Sequence, residues 1–320
     1  MMIDNILVPL DGSALAECVL PHVVAIVQAF DARVTLIQVV EGTSPNRGGR
    51  TIVSPLEWHM YRAEAEGYLA QVSNRLEDIG VEVERAILDG SPAKRIIEFA
   101  RKQDIGLLML SSHGRSGLSE WGISSVIQKV TMRCLIPILI VRAHKSAKAD
   151  LTGLRYEHVM VPLDMSHRAE HMLPLVNTLA EAHQSRLLLA HVVTRPELPR
   201  RMPLTTEERE FVDRLTETNR QEGEAYLEEL KVRLSPKSET RVLISYNAAA
   251  ELHKLVSEED VDLVVMSAHG RFGQAYWPYG GLASNFISYC STALLIVQDL
   301  SPEEVLPTEA EKTGREKKGH

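Results

Sequence analysis

Two stretches of this 320-residue chain carry residue types that could handle a phosphate group. The first is Ser111-Ser112-His113-Gly114-Arg115-Ser116-Gly117-Leu118-Ser119, directly after the apolar run Ile105 to Leu110. The second is Ser267-Ala268-His269-Gly270-Arg271-Phe272-Gly273, after Leu263 to Met266. A short hydrophobic strand that breaks into a Gly/Ser-rich turn and then a helix is how α/β proteins gather backbone N–H groups into an anion-sized nest. Asp11 and Asp164, each at the end of an apolar run, could hold a sugar hydroxyl or a metal–phosphate group; capping of the following helix is the alternative. Arg115 and Arg271 could meet phosphate or stand solvated. His113 and His269 have the look of catalytic loop histidines, but no Ser or Cys nucleophile with an acid orienter is spaced around them, which favours a turn-packing role. His191, inside an apolar run, reads as a satisfied core polar group. Neither a G-x4-G-K-[ST] loop nor a G-x-G-x-x-G turn occurs, which removes the P-loop and dinucleotide-binding readings.

The elements that must position these residues follow from hydrophobic periodicity. Ile6 to Leu10, Val34 to Val40, Ile105 to Leu110 and Ile136 to Val141 are continuous apolar runs, the pattern of strands buried on both faces of a parallel sheet. Val81, Val83 and Arg85 alternate with glutamates, which predicts a strand nearer the sheet edge. Leu15, Val19, Val23, Val27 and Phe30 recur at helical spacing behind Ser13 as N-cap, and Pro21 either kinks that helix or marks its true first turn. Trp58 to Ile79 predicts a long amphipathic helix ended by Gly80, after a polar, mobile excursion from Gly42 to Pro55. Ser91-Pro92-Ala93 opens a further helix. Strand and helix thus alternate through five strands, which predicts an open parallel sheet with helices on both faces.

After a polar connector the pattern restarts. Val159 to Ser166 stands 153 positions after Ile6 to Ser13, and Pro174 the same distance after Pro21. By the two Ser-x-His-Gly loops the offset is 156, and Cys134 and Cys290 keep it. Several landmarks in register establish an internal duplication. The expected organisation is one domain over 1–145, a linker over 146–154, a second domain over 155–300 and a disordered charged tail over 301–320. Tandem copies commonly pack as a pseudo-twofold pair resembling a homodimer.

With 44% hydrophobic and 24% charged residues, the composition is that of a soluble globular protein. The formal net charge of −8, with acids and bases interspersed, leaves no basic stripe for nucleic acid. No apolar run reaches bilayer length and the N-terminus has no basic leader region, so cytoplasm is the expected compartment and no membrane partner is expected. The three cysteines form no metal-ligand spacing.

Val8-Pro9-Leu10-Asp11-Gly12-Ser13, Gly90-Ser91-Pro92-Ala93 and the loop from Ser111 to Ser119 together resemble the universal stress protein family in its tandem form. The resemblance implies a Rossmann-like, adenine nucleotide alpha hydrolase-like fold with strands one and four adjacent at the topological switch point. It implies ATP or another adenine nucleotide as ligand, with Mg²⁺, and a homodimer or protein partner. The family signature G-x2-G-x9-G-[S/T] falls on Ser111, Gly114, Ser124 and Ser125 in the first half, and on Ser267, Gly270, Gly280 and Gly281 in the second. Asp11 and Asp164 are in place, and Val40 and Val193 stand where the family places the adenine. The site residues expected on this basis are Asp11, Val40, Ser111, His113, Gly114, Arg115, Gly117, Ser124 and Ser125, with Asp164, Gly270 and Gly280 in the second half. The first half is the better candidate. The second half has Asn247-Ala248-Ala249 where Gly90-Ser91-Pro92 stood, and Tyr276-Trp277-Pro278-Tyr279 could fill its pocket. A non-glycine residue where φ must be positive costs roughly 1–2 kcal/mol, so two lost glycines would weaken a micromolar site roughly 30- to 1,000-fold if the strain appears only on binding. Serine hydroxyls would offset part of this. The alternatives are a nucleotide-free scaffold acting through protein contacts and, more remotely, slow ATP hydrolysis.

Overall fold

The computed structural model describes residues 3–41, 54–114, 123–143, 150–196, 205–234, 237–271 and 277–299. Within the first half β1 (Asn5–Leu10), β2 (Arg33–Val40), β3 (Val83–Asp89), β4 (Leu107–Ser111) and β5 (Ile138–Val141) alternate with α1 (Leu20–Phe30), α2 (Pro55–Glu77), α3 (Pro92–Lys102) and α4 (Ser125–Thr131). The second half repeats the series with β6 (His158–Pro162), the short α5 (His167–Glu170), α6 (Leu173–His183), β7 (Arg186–Thr194), α7 (Thr206–Val232), β8 (Ser238–Ser245), α8 (Ala248–Glu258), β9 (Leu263–Ser267), α9 (Gly281–Tyr289) and β10 (Ala293–Val297). The predicted excursion from Gly42 falls almost wholly outside the described residues, as do Arg115, Gly117 and the tail.

In each half the five strands are parallel, in the order 3-2-1-4-5 by position in the half, so the strands that end in Asp11 and Ser111 are neighbours. The edge position expected for the alternating strand is where β3 lies. The two sheets are not separate. β5 and β10 pair antiparallel and fuse them into one ten-stranded sheet. Leu139 pairs with Leu295, its own counterpart in the duplication, flanked by Ile138 with Ile296 and Ile140 with Leu294. A local twofold axis therefore passes between Leu139 and Leu295. α1 packs on α6, also its counterpart, across the same axis. One continuous core lies on each side of the sheet, and both cross from one half to the other. The edges of β5 and β10 are consumed by each other, so association with a second chain would need a different surface.

Helix starts show the local chemistry. Ser13 accepts the Ala16 N–H (3.1 Å) and opens a 3-10 turn, Ala16–Val19. Pro21 then sits in the first turn of α1, where its missing N–H costs nothing. Ser54 and Glu57 form a reciprocal capping box at α2. Ser91 precedes Pro92 as predicted, but its hydroxyl caps nothing. Its counterpart Asn247 does the opposite: Oδ1 accepts the Ala250 N–H (3.1 Å), so losing Gly-Ser-Pro did not cost the second half its helix start. β5 begins at Ile138 and not Ile136, because Pro137 has no N–H to give the ladder.

Candidate functional site

The site in each half is built where β1 meets β4, or β6 meets β9, at the carboxyl end of the sheet. Asp11 Oδ1 accepts both the N–H (3.0 Å) and the hydroxyl (2.6 Å) of Ser13. Asp164 repeats this with Ser166 at 3.2 and 2.6 Å. Serine, not aspartate, caps the next helical turn; the aspartate orients that serine. The second carboxylate oxygen faces across to the neighbouring loop. A Cβ on Gly114 would lie 2.1 Å from Asp11 Oδ2, and one on Gly270 would lie 2.0 Å from Asp164 Oδ2. Asp164 Oδ2 also accepts the Arg271 N–H at 2.5 Å. The strand-end acid thus stitches the two loops together, and glycine is required because a carboxylate occupies the space a side chain would need.

This replaces the strain expected from the lost glycines. Among the described residues, positive φ occurs in these loops only at Gly12 (81°) and at its counterpart Met165 (65°), outside the signature. Ser124 (φ −61°, ψ 154°) and its counterpart Gly280 (φ −68°, ψ 170°) share one extended conformation that any residue adopts. The serines at Ser111, Ser124 and Ser125 carry no backbone strain, so the weakening reckoned from it does not apply.

The first half encloses a cavity of about 580 Å³, within the range of about 300–1,000 Å³ usual for small-molecule sites. Asp11, Val40, Ser111, His113 and Gly114 line it, as do Ser124 and Ser125 at the start of α4. Every described residue expected there is brought together. Glu41, Tyr61 and Glu64 complete the wall and were not foreseen; the i, i+3 spacing of the last two on α2 was the available signal. The second half encloses about 430 Å³, lined by Asp164, Gly270 and Gly280 as expected, and also by His191, Trp277 and Tyr279. The aromatic loop narrows this cavity without closing it: Tyr279 is buried in the core below, whereas Trp277 is exposed at the rim.

The hydroxyls are used differently in the two halves. Ser111 Oγ lies 2.6 Å from the His113 carbonyl and 3.0 Å from that of Leu15, so it ties the loop. Its counterpart Ser267 is buried and its hydroxyl has no partner among the described residues. Ser124 caps α4 through the Ile127 N–H (3.4 Å), while α9 has no side-chain cap.

Both histidines are loop braces. His113 Nδ1 bonds the buried Ser112 hydroxyl (3.0 Å), which also accepts the Ala143 N–H (2.9 Å). Burial, with Arg142 nearby, holds the His113 pKa below the ordinary value, so the ring is neutral. The second half has Ala268 and Asp299 where the first has Ser112 and Ala143. There His269 Nδ1 bonds Asp299 Oδ1 (2.8 Å) and Nε2 bonds the Trp277 carbonyl (2.6 Å). Both partners are acceptors, an arrangement that favours the imidazolium. Burial works against that charge, yet the bonds to Asp299 and Trp277 together raise the pKa above that of ordinary histidine. His191 gives Nδ1–H to the Leu163 carbonyl (2.8 Å), as a satisfied core group would, and Gly223 of α7 makes room for its ring. Arg142, which periodicity could not flag, crosses the twofold axis and donates to the Phe286 and Ile287 carbonyls at the end of α9 (3.1 and 2.8 Å). Among the described residues no three His, Cys, Asp or Glu side chains converge as a metal cage, and no helix is long and apolar enough to cross a membrane.

A parallel sheet in 3-2-1-4-5 order, with a glycine loop stitched to a strand-end aspartate and repeated about a twofold axis, defines a tandem α/β protein with a cavity at each switch point. The chain belongs to the universal stress protein family, whose model matches it twice, over residues 2–142 and 155–298. It is 31% identical over 145 residues to universal stress protein MJ0531 of Methanocaldococcus jannaschii, covering 44% of this chain and 83% of that protein. To universal stress protein MJ0577 of the same organism it is 26% identical over 160 residues, 46% of this chain and 99% of that one. In fold it is similar to a universal stress protein from Archaeoglobus fulgidus (TM-score 0.65, 16% identity), which covers 94% of this chain and is covered in full.

Proposed function

We propose that this tandem universal stress protein binds an adenine nucleotide, ATP with Mg²⁺, in the first-half cavity, and acts through that occupancy in a stress response. The observation that carries the reading is the convergence of Val40, Asp11, Gly114 and the Ser124–Ser125 pair on one cavity of about 580 Å³. Val40 offers an apolar wall for a base, and Gly114, Ser124 and Ser125 line the same cavity where a phosphate would sit. Asp11, Glu41 and Glu64 line the same cavity, so a bare polyphosphate meets like charge. Mg²⁺ relieves this, and the absence of a protein metal cage among the described residues fits a Mg²⁺ that arrives on the phosphates and takes at most one or two carboxylates. Binding, and not hydrolysis, is proposed, because His113 is engaged as a loop brace.

Chromatography of nucleotide released from freshly purified, denatured protein tests the reading. Adenine nucleotide approaching one per chain is the expected result. Nucleotide-free protein that also gives no thermal shift with millimolar MgATP would instead leave the scaffold reading, in which the duplicated sheet serves protein contacts.

A further inference from the structure

The duplication keeps its surface charges on one side of the sheet and inverts them on the other. α2 and α7 are counterparts, aligned by Tyr68 with Tyr226 and Leu69 with Leu227. Their outer charges match. Arg62 and Arg220 each pair with a glutamate one turn on, Glu66 and Glu224, and Arg75 and Arg233 reach Glu17 and Glu170, which are also counterparts. α3 and α8 do the opposite. Both run eleven residues from equivalent caps, Ser91 and Asn247, so their positions correspond one to one. Arg95, Glu98 and Lys102 stand where α8 has Glu251, Lys254 and Glu258. The outer stripe reads plus, minus, plus on α3 and minus, plus, minus on α8.

α3, α4, α8 and α9 bury their inner faces in one core, so both stripes lie on the same side of the sheet. The same division holds around them. Lys94, Arg101, Lys129 and Arg133 are exposed in the first half, and the second half has Ala250, Ser257, Asn285 and Tyr289 in their places. Asp104 and Asp260 keep their sign. This face is therefore basic over the first half and acidic over α8, in a chain whose net charge is −8. The pairs made within the stripes, Arg95 with Glu98 (2.8 Å) and Lys254 with Glu251 and Glu258 (3.7 and 3.6 Å), lie at the surface. Pairs of that kind contribute little, so they do not compete with a complementary stripe laid against them. Met132 and Tyr289, at the ends of α4 and α9, add exposed apolar groups to the same face.

We infer that this face binds a second copy of the chain. A twofold axis parallel to the strands lays the first half of each copy over the second half of the other, the closed self-complementary arrangement of a symmetric pair. The duplication runs α3 and α8 in opposite directions, so α3 meets α8 of the other copy antiparallel. Arg95 then faces Glu258, Glu98 faces Lys254 and Lys102 faces Glu251, and the set occurs twice. Stacking like halves would set Arg95 against Lys102, a like-charge contact that selects against that alternative. The surface is independent of the β5–β10 seam, which is already filled within one chain.

Sedimentation velocity of the full chain tests this. The expected result is a dimer at about 0.1 mM chain in about 50 mM salt, with a dissociation constant at least tenfold higher in about 500 mM salt, where these charges are screened. Lys102→Glu alone and Glu251→Lys alone should each weaken the dimer at least tenfold. An equimolar mixture of the two variants should restore it, as should one chain carrying both changes, because each pairing is opposite in sign again. Restoration on mixing also excludes misfolding as the cause of the loss. A monomeric parent in low salt, a dimer indifferent to salt or to either reversal, or no restoration on mixing would each overturn the assignment.

Discussion

Gly114→Ala is the perturbation that separates a contact requirement from a conformational one. The added Cβ would stand 2.1 Å from Asp11 Oδ2 and 3.0 Å from its Cγ. Reaching an ordinary C···O separation of about 3.3 Å needs a retreat of about 1 Å. The carboxylate cannot retreat freely, because its other oxygen holds the Ser13 N–H and hydroxyl. Overpacking of this kind costs about 1–3 kcal/mol, and loosening bonds to a charged acceptor adds about 1–2. The lower unfolded-state entropy of alanine returns about 0.4–1 kcal/mol. The net expectation is a loss of about 2–3 kcal/mol, read from urea unfolding midpoints at constant slope. In the cycle with Asp11→Ala, the double variant should be no less stable than Asp11→Ala alone, a coupling of about 2–3 kcal/mol, the whole cost of Gly114→Ala. If Gly114→Ala matches the parent, or the two changes simply add, the carboxylate is not what demands glycine there.

Met165 holds φ 65° where Gly12 stands in the first half, so Met165→Gly should raise stability by about 1 kcal/mol, seen as a higher Tm. The His269 pKa lies above its unfolded value of about 6.5, so its contribution is complete below that pH and is lost as pH rises through the folded value; Asp299→Asn should flatten that slope in pH-dependent unfolding. His22, with Nδ1 2.8 Å from the Tyr156 hydroxyl, behaves oppositely: burial pushes its pKa down to about 4. Stability should hold above pH 6.5 and fall by up to about 3 kcal/mol as pH drops toward 4, a loss that His22→Gln should blunt.

The central strands were legible because they are continuous apolar runs that no other element can use, the edge strand β3 by its alternation, and the duplication because landmarks such as Pro21 and Cys134 kept register with Pro174 and Cys290. The candidate site was legible as a set of residues, since Asp11, Val40, Gly114, Ser124 and Ser125 do face one cavity. What they do there was not. Glycine in a loop reads as a demand for positive φ, and only the position of Asp11 shows that Gly114 answers a close approach. Ser111 and Ser267 are identical in sequence, yet one hydroxyl is consumed by Leu15 and His113 and the other is not, a difference set by neighbours distant in the chain. The fusion of the two sheets rests on β5 and β10 meeting edge to edge, which hydrophobic pattern cannot encode because a paired and an unpaired edge have the same composition.

Calorimetric titration of MgATP into the parent and into Ser125→Glu tests the central claim most directly. Ser125 is exposed at the first position of α4, where a glutamate suits the helix dipole, so the fold is retained while a negative charge enters the phosphate end of the cavity. The account predicts one MgATP per chain for the parent and none measurable for the variant. Absence of binding to the parent, or undiminished binding to Ser125→Glu, would contradict it.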